Sequence, residues 1–385
     1  MSGLRILHVG KFYPPVRGGM ETILQILCRG ELTAVQTRAL VMSRSRKTTH
    51  DVVDGVPVTH VASLLTVGSV AVAPTLPLWL ARAEADLIVL HEPNPMALLA
   101  YFIARPKTPL IVWYHSEVVR PAWRYRLFYR PFLDFALRRA ARVVVASPPM
   151  ADAPAPSAHR EKCVVIPYGL DADRYRPTAA IAARADALRA QARGPILLFV
   201  GRLVRYKGLD VLLRAMPGLD AQLVIVGEGP LRGTLETMVQ ELGVGDRVRL
   251  TGEVTDEERL AWLQACAALV LPSITRQESF GVAQLEAMLC GRPVVSTDVP
   301  TGVPWVNVHG QTGLVARAGD TASLRDAVER LLADAELRRV LGEAARTRVL
   351  NMFTADRMCS SMLALYQEVV VGQRLEEGTR APAVR

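Results

Sequence analysis

Two glutamates frame one short stretch of this chain. Glu278 and Glu286 stand eight residues apart in Glu278-Ser279-Phe280-Gly281-Val282-Ala283-Gln284-Leu285-Glu286. The run 267–272 before them is apolar and ends at Pro272, as a buried strand would. Phe280, Val282, Ala283, Leu285 and Leu289 have the spacing of an apolar helix face, which Gly291 and Pro293 then stop. Eight residues of helix rise about 12 Å. The spacing predicts one carboxylate at the positive mouth of a helix and the other about two turns down. A carboxylate's two acceptor oxygens suit a vicinal diol, and exposed N–H groups at a helix mouth suit a phosphate. The separation matches the reach from hexose to ribose in a nucleotide sugar. Glu286 falls inside the apolar face, a poor place for a merely solvated charge.

Other candidates stand at the ends of strand-like runs. Residues 4–10 lead through a Pro-Pro loop to Gly18 and Gly19, after which Met20, Ile23, Leu24 and Leu27 have helical spacing. Strand, Gly-Gly loop and helix is a layout that turns backbone N–H groups toward a phosphate, although it lacks the G-x-G-x-x-G of a dinucleotide fingerprint. Residues 195–203 form a second such strand, ending in Arg202 with Lys207 and Gly208 close behind. His91 and His115 end two more apolar runs, 86–91 and 110–115. A lone histidine is more often structural than functional, but a strand's C-terminal end favours a site. Asp171 and Asp173 have no nearby acidic or histidine cluster, so a metal pair there is rejected.

These runs need a scaffold. Near-continuous apolar strands alternating with helical patterns indicate parallel sheets covered on both faces, whose ligands sit beyond the strand C-termini. At 385 residues the chain is long enough for two domains, and 50% hydrophobic with 22% charged residues is a globular composition. No apolar run reaches the ~20 residues that span a bilayer, and the N-terminus passes straight into a strand pattern without a signal peptide. Five scattered cysteines without a C-x-x-C pair point to a reducing compartment. The net charge of +9 is confined to residues 1–170, where 20 Lys and Arg face 11 Asp and Glu; the remainder carries 26 of each. Residues 120–142 hold seven arginines, one acid, and the interleaved aromatics Trp123, Tyr125, Phe128, Tyr129 and Phe132. That stretch reads equally as a membrane-interface helix or as a surface helix packing its aromatics on the sheet.

Taken in order, the motifs resemble the retaining glycosyltransferases of family four. They are Gly18-Gly19-Met20-Glu21, Ile166-Pro167-Tyr168-Gly169-Leu170-Asp171 through Tyr175-Arg176-Pro177, Val200-Gly201-Arg202-Leu203 with Lys207-Gly208, Ile225-Val226-Gly227-Glu228-Gly229-Pro230, and Glu278-Ser279-Phe280-Gly281 with Glu286-Ala287. Asn307 and Gly310-Gln311-Thr312-Gly313 complete the set. The resemblance covers residues 4 to about 350. It implies the GT-B architecture: two Rossmann-like α/β domains facing across a cleft, with a C-terminal helix crossing back to the first. The boundaries expected are 1–177 for an acceptor-binding domain, 178–194 for a linker, 195–351 for a donor-binding domain and 352–385 for the crossover helix and a frayed tail.

The resemblance also implies roles. Glu278 would meet donor-sugar hydroxyls, Glu286 the ribose, and Val254 the edge near the base. Gly18, Gly19, Arg202, Lys207 and the backbone of Ser279, Phe280 and Gly281 would meet the diphosphate. His115 would bind sugar hydroxyls and stabilise an oxocarbenium-like transition state. The family needs neither a metal nor a resident cofactor, because these cations and N–H groups can neutralise the leaving group. The run His115-Ser116-Glu117-Val118-Val119-Arg120 is similar to that of bacterial polysaccharide mannosyltransferases, which makes GDP-mannose the first choice of donor, with UDP-glucose and UDP-N-acetylglucosamine open. The acceptor would be a saccharide or polyprenyl-linked saccharide. The setting would be cytoplasmic, with a peripheral membrane contact through residues 120–142. Tyr168 replaces the family's usual Asn, a change expected to affect linker packing. A GT-B phosphorylase or epimerase is the alternative enzyme class. Lys207 is the only lysine after Lys162 and belongs to the phosphate motif, which argues against a pyridoxal phosphate lysine. Nucleic-acid binding is disfavoured by the absence of a helix-turn-helix, zinc or RNP motif.

Overall fold

The computed structural model describes residues 3–16, 18–67, 70–118 and 125–380. The chain forms two compact units: one ends at Gly169 and resumes at Ala355, and the other is Leu170–Thr354.

The first unit is built on β1 (Arg5–Val9), β2 (Gln36–Met42), β3 (Thr49–Val53), β4 (Val56–Val61), a separate hairpin of β5 (Leu65–Val67) and β6 (Val70–Val72), and then β7 (Leu87–Glu92), β8 (Leu110–Tyr114), β9 (Arg142–Val145) and β10 (Cys163–Val165). The main sheet runs β10-β9-β8-β7-β1-β2-β4-β3, parallel throughout except for β3 against β4. Side chains alternate across a strand. Leu7, Val9, Ile88, Leu90, Leu110 and Val112 therefore bury one face in the main core, while His8 and His91 lie on the opposite face, also fully buried.

The second unit contains β11 (Ile196–Val200), β12 (Gln222–Val226), β13 (Val248–Gly252), β14 (Ala268–Leu271), β15 (Val294–Thr297) and β16 (Gly313–Ala316), all parallel in the order β13-β12-β11-β14-β15-β16. That is the Rossmann order, and the order in which strands are added reverses between β11 and β14. The first sheet reverses in the same way between β1 and β7. Gly18 follows β1, Arg202 and Lys207 follow β11, and Glu278 follows β14, all strands that flank a switch point, where loops diverge and leave a crevice; His115 follows β8, one strand further out, and Val254 follows β13.

Four sequence expectations are revised. Residues 178–194 are no free linker: Ala179–Gln191 is a helix, capped by Thr178, that buries Ala185 and Leu188 and pairs Arg184 with Glu258 inside the second unit. The C-terminal helix starts at Ala355 and continues to Arg380, well past the expected fraying point at Gly372. The β3–β4 hairpin was unexpected, although its turn, Asp54-Gly55 with both residues at positive φ, is a strong hairpin dipeptide. Finally, the helix after the opening stretch is Val282–Leu289, so Glu278 stands in a turn four residues ahead of it and only Glu286 is helical.

Gly208 fixes one of the site turns. It follows the 3-10 turn Arg205–Lys207 at φ +65°, and a Cβ there would lie 2.0 Å from the Pro272 carbonyl oxygen and 2.9 Å from Ile274. Left-handed backbone costs a non-glycine residue about 1–2 kcal/mol before any clash. Gly208→Ala is therefore expected to cost at least about 2 kcal/mol, measured as a lower urea midpoint of the full chain; an unchanged midpoint would contradict this packing.

Candidate active site

In the second unit both glutamates are buried, and each is held by a cation and a hydroxyl. Glu278 Oε2 accepts from the Ser273 hydroxyl at 2.9 Å and is ion-paired with Lys207 Nζ. Burial opposes the Lys207 ammonium, but the Glu278 carboxylate outweighs it and the lysine's pKa is raised. Glu286 Oε1 accepts from the Tyr175 hydroxyl at 2.9 Å and from the Arg259 guanidinium. Attraction to Glu286 raises the Arg259 pKa, and burial raises that of Tyr175. In both glutamates the described contacts fall on a single oxygen, leaving Glu278 Oε1 and Glu286 Oε2 for a ligand. Each buried pair is locked, since removing one partner of such a pair costs about 3–5 kcal/mol.

The surrounding turn is rigid. Thr301 donates to the Glu278 carbonyl at 2.7 Å, and Gly302 N donates to the Ser279 carbonyl at 2.8 Å. Phe280 is buried edge-on against Trp305 and Phe353, so its side chain is structural and it can face a ligand only through its backbone. Gly281, at φ +74°, caps Val282–Leu289 without help from any side chain. Arg202 is exposed and close enough to Lys207 to lower its affinity for a proton, and it makes no ion pair among the described residues. Val254 is half-buried beyond β13.

In the first unit, Gly18 is the N-cap of the helix Gly19–Glu31, which likewise has no side-chain cap. A Cβ on Gly18 would meet only the end of the Glu21 side chain, at 2.2 Å. His115 follows β8 and is 4% exposed. Its Nδ1 meets the Tyr168 hydroxyl at 2.6 Å and its Nε2 meets His91 Nδ1 at 2.8 Å. Burial lowers the His115 pKa to about 3, so the ring is neutral at ordinary pH. Tyr168 therefore touches the candidate imidazole itself, which revises the expectation that it acts on linker packing. Sequence reasoning also missed Ser273 and Arg259, and it matched Tyr175 to the family without giving it a role at the site. Nothing in their spacing marks them, because their partners are brought together only by the fold.

The stretch 120–142 divides. Arg120, Trp123 and Arg124 lie outside the described residues. Tyr129 is buried, and Tyr125 and Phe132 pack against the core, whereas Leu127 and Phe128 are 63% and 62% exposed. Among the described residues, no helix is long and apolar enough to cross a membrane.

Known proteins match along most of this length. Residues 17–174 match the model of Glycosyltransferase Family 4, and residues 183–348 that of Glycosyl transferases group 1. The chain is 37% identical over 274 residues to the D-rhamnosyltransferase WbpZ of Pseudomonas aeruginosa, covering 71% of each protein. It is 29% identical over 368 residues to the O-antigen chain mannosyltransferase C of Escherichia coli, covering 94% of this chain and 98% of that one. Among solved structures, a sucrose-phosphate synthase from Thermosynechococcus elongatus aligns with a TM-score of 0.79 at 22% identity, over 96% of this chain and 100% of that one. Anabaena HepE, solved in complex with UDP and glucose, aligns at 0.77 and 20% identity, over 95% and 100%. The chain belongs to glycosyltransferase family 4 and has the GT-B fold, two parallel-sheet α/β units with C-terminal helices. It is a retaining hexosyltransferase that takes its sugar from a nucleotide sugar.

Glu92, beside His115, provides a pH test. Its Oε2 accepts from Asn94 N at 2.7 Å and from the Tyr129 hydroxyl at 2.8 Å, while its buried Oε1 has no partner among the described residues. Burial raises its pKa from 4.5 to about 8. Between these values the folded protein keeps a proton that the unfolded chain releases. This contribution to stability is thus full below pH 4.5, declines as pH rises, and is exhausted above 8. Glu92→Gln is expected to remove a decline of roughly 1.4 kcal/mol per pH unit from urea unfolding between pH 5 and 8. Parallel pH profiles for the two proteins would contradict it.

Proposed function

We propose that the enzyme transfers mannose from GDP-mannose to a saccharide or polyprenyl-linked acceptor of a cell-surface polysaccharide. One observation carries the donor side of this reading: two buried carboxylates, each tied at one oxygen by a cation and a hydroxyl, each with the other oxygen unclaimed, at the switch point of the second sheet. We assign Glu278 Oε1 to hydroxyls of the transferred sugar and Glu286 Oε2 to the ribose diol. Arg202 offers a planar fork to the diphosphate, and Lys207 adds charge beneath it. Backbone N–H groups of Ser279, Phe280 and Gly281 extend that neutralisation, so no metal is needed to stabilise the leaving group. In the first unit, Gly18 and Gly19 offer a helix mouth of their own to a phosphate. Val254 marks the edge near the base.

With Lys207 drawing on its charge, Glu278 is better suited to binding hydroxyls than to attacking the anomeric carbon. Front-face attack, with the departing phosphate taking the acceptor's proton, therefore fits these residues better than double displacement. His115, neutral and buried, is assigned to sugar hydroxyls.

Mannose is supported by the E. coli relative and by a GDP-mannose-dependent phosphatidylinositol monomannoside mannosyltransferase of Mycolicibacterium smegmatis, 30% identical over 366 residues. The higher identity to a D-rhamnosyltransferase favours a second donor, GDP-linked 6-deoxymannose, which lacks only the 6-hydroxyl. The basic surplus of residues 1–170 and the exposed Leu127 and Phe128 support a peripheral contact with anionic membrane near the acceptor.

The purified protein is expected to consume GDP-mannose or its 6-deoxy analogue in the presence of a chelator, in preference to UDP-glucose and UDP-N-acetylglucosamine. Glu278→Gln is expected to lower turnover about 100-fold, the equivalent of one charged hydrogen bond of about 3 kcal/mol. Undiminished turnover in the variant, or turnover only with added metal, would overturn the reading.

A further inference from the structure

His115 is one end of a buried chain of side chains that crosses the first sheet. His8 lies on β1, His91 on β7, and His115 just after β8, three adjacent strands. His8 is in register with Val89, and His91 with Trp113. Each step from His8 to His91 to His115 therefore moves one strand across and two residues along, which keeps all three rings on one face. His8 Nδ1 meets His91 Nε2 at 3.1 Å, and His91 Nδ1 meets His115 Nε2 at 2.8 Å. At the far end His8 Nε2 meets Glu31 Oε2 at 3.0 Å. Glu31 is completely buried and also accepts from the Thr37 hydroxyl at 2.8 Å and from the Tyr366 hydroxyl at 2.7 Å. Tyr366 belongs to the C-terminal helix Ala355–Arg380. At the near end the Tyr168 hydroxyl stands 2.6 Å from His115 Nδ1.

With one proton per ring this pattern has a single solution. An ionised carboxylate only accepts. His8 must then carry its proton on Nε2 and present a bare Nδ1, which requires Nε2–H on His91 and in turn Nε2–H on His115. His115 Nδ1 is left as an acceptor for the Tyr168 hydroxyl. Burial and the neighbouring rings hold His91 well below its ordinary pKa, and burial holds His115 at about 3, in keeping with neutral rings.

We propose that Glu31, His8 and His91 are positioning residues that hold His115 as its Nε2–H tautomer, so that the His115–Tyr168 pair meets a sugar hydroxyl as a hydrogen-bond acceptor. This deepens the assignment of His115 to sugar hydroxyls and rests on it. Glu31 sets the direction of the whole chain. Tyr366 and Thr37 hold Glu31 in place, which gives the C-terminal helix a part in the site.

The test is the tautomer itself, read from the ring ¹⁵N signals of histidine-labelled full-length protein, with His115 assigned through His115→Gln. The wild type is expected to show His115 with a protonated Nε2 and a bare Nδ1, and this measurement needs no variant to fold. In Glu31→Gln the amide can donate to His8, so the His115 proton is expected to move at least partly to Nδ1. Tyr168→Phe, at the other end, is expected to leave the proton on Nε2. Glu31→Gln should lower kcat by roughly 10–100-fold, the range for partners that orient a functional imidazole, with little change in the donor KM. A wild-type His115 protonated on Nδ1, or a tautomer unmoved in Glu31→Gln, would overturn the proposal whatever the activity. If the tautomer responds as expected but His115→Gln retains full turnover, the relay stands and the assignment of His115 to the substrate falls.

Discussion

A carboxylate taken out of water must have its lone pairs met by donors, or folding is penalised by several kcal/mol. Three buried glutamates in this chain meet that demand, and much of the site follows from how they do so. Glu278 takes Lys207 and Ser273, Glu286 takes Arg259 and Tyr175, and Glu31 takes His8, Thr37 and Tyr366. The first two keep one oxygen in reserve. The third spends both oxygens within the fold and passes its influence outward through histidines. In the proposed reading, structural satisfaction and ligand binding fall to different oxygens of the same group, or to opposite ends of the same chain.

Topology makes these arrangements reachable. A parallel sheet brings the C-terminal ends of neighbouring strands side by side, and reversal of strand order opens a gap between the loops that follow. In the second unit that gap lies between the loops after β11 and β14, which deliver Arg202 and Lys207 from one side and Ser273 and Glu278 from the other. In the first unit the loops after β1 and β8 deliver Gly18 and His115, and β7 ends on Glu92. The glycines serve close approach: Gly208 passes the Pro272 carbonyl where no Cβ would fit, and Gly281 turns the backbone into the helix that carries Glu286.

The two parallel sheets, the strands ending at His91 and His115, and the two glutamates were legible because apolar runs, glycines and strand-end polar residues leave local signals. Arg259 was not legible, since it lies 27 residues from the glutamate it holds in an unremarkable helical segment, and Tyr175 showed only as the end of a family motif because its partner is 111 residues away. His8 looked like one polar residue in a strand, and its role depends on register with β7. Tyr168 was noticed as a departure but was given the wrong consequence, because its sequence neighbours are loop residues while its hydroxyl contact is 53 residues away. Residues 178–194 were placed as a linker for a related reason, although a helix over 179–193 was already one reading of their pattern. An Ala- and Arg-rich segment looks solvent-exposed until tertiary packing supplies a partner such as Glu258.

The division of labour between the two donor-side carboxylates is the central claim, and calorimetric titration with GDP and with GDP-mannose tests it most directly. Glu286→Gln is expected to weaken both ligands alike, because both carry the ribose. Glu278→Gln is expected to weaken GDP-mannose far more than GDP, because only the former carries the hexose, while the variant also alters the balance of the Lys207 charge that both ligands share. Equal weakening of both ligands by Glu278→Gln, or unchanged GDP binding in Glu286→Gln, would contradict the account.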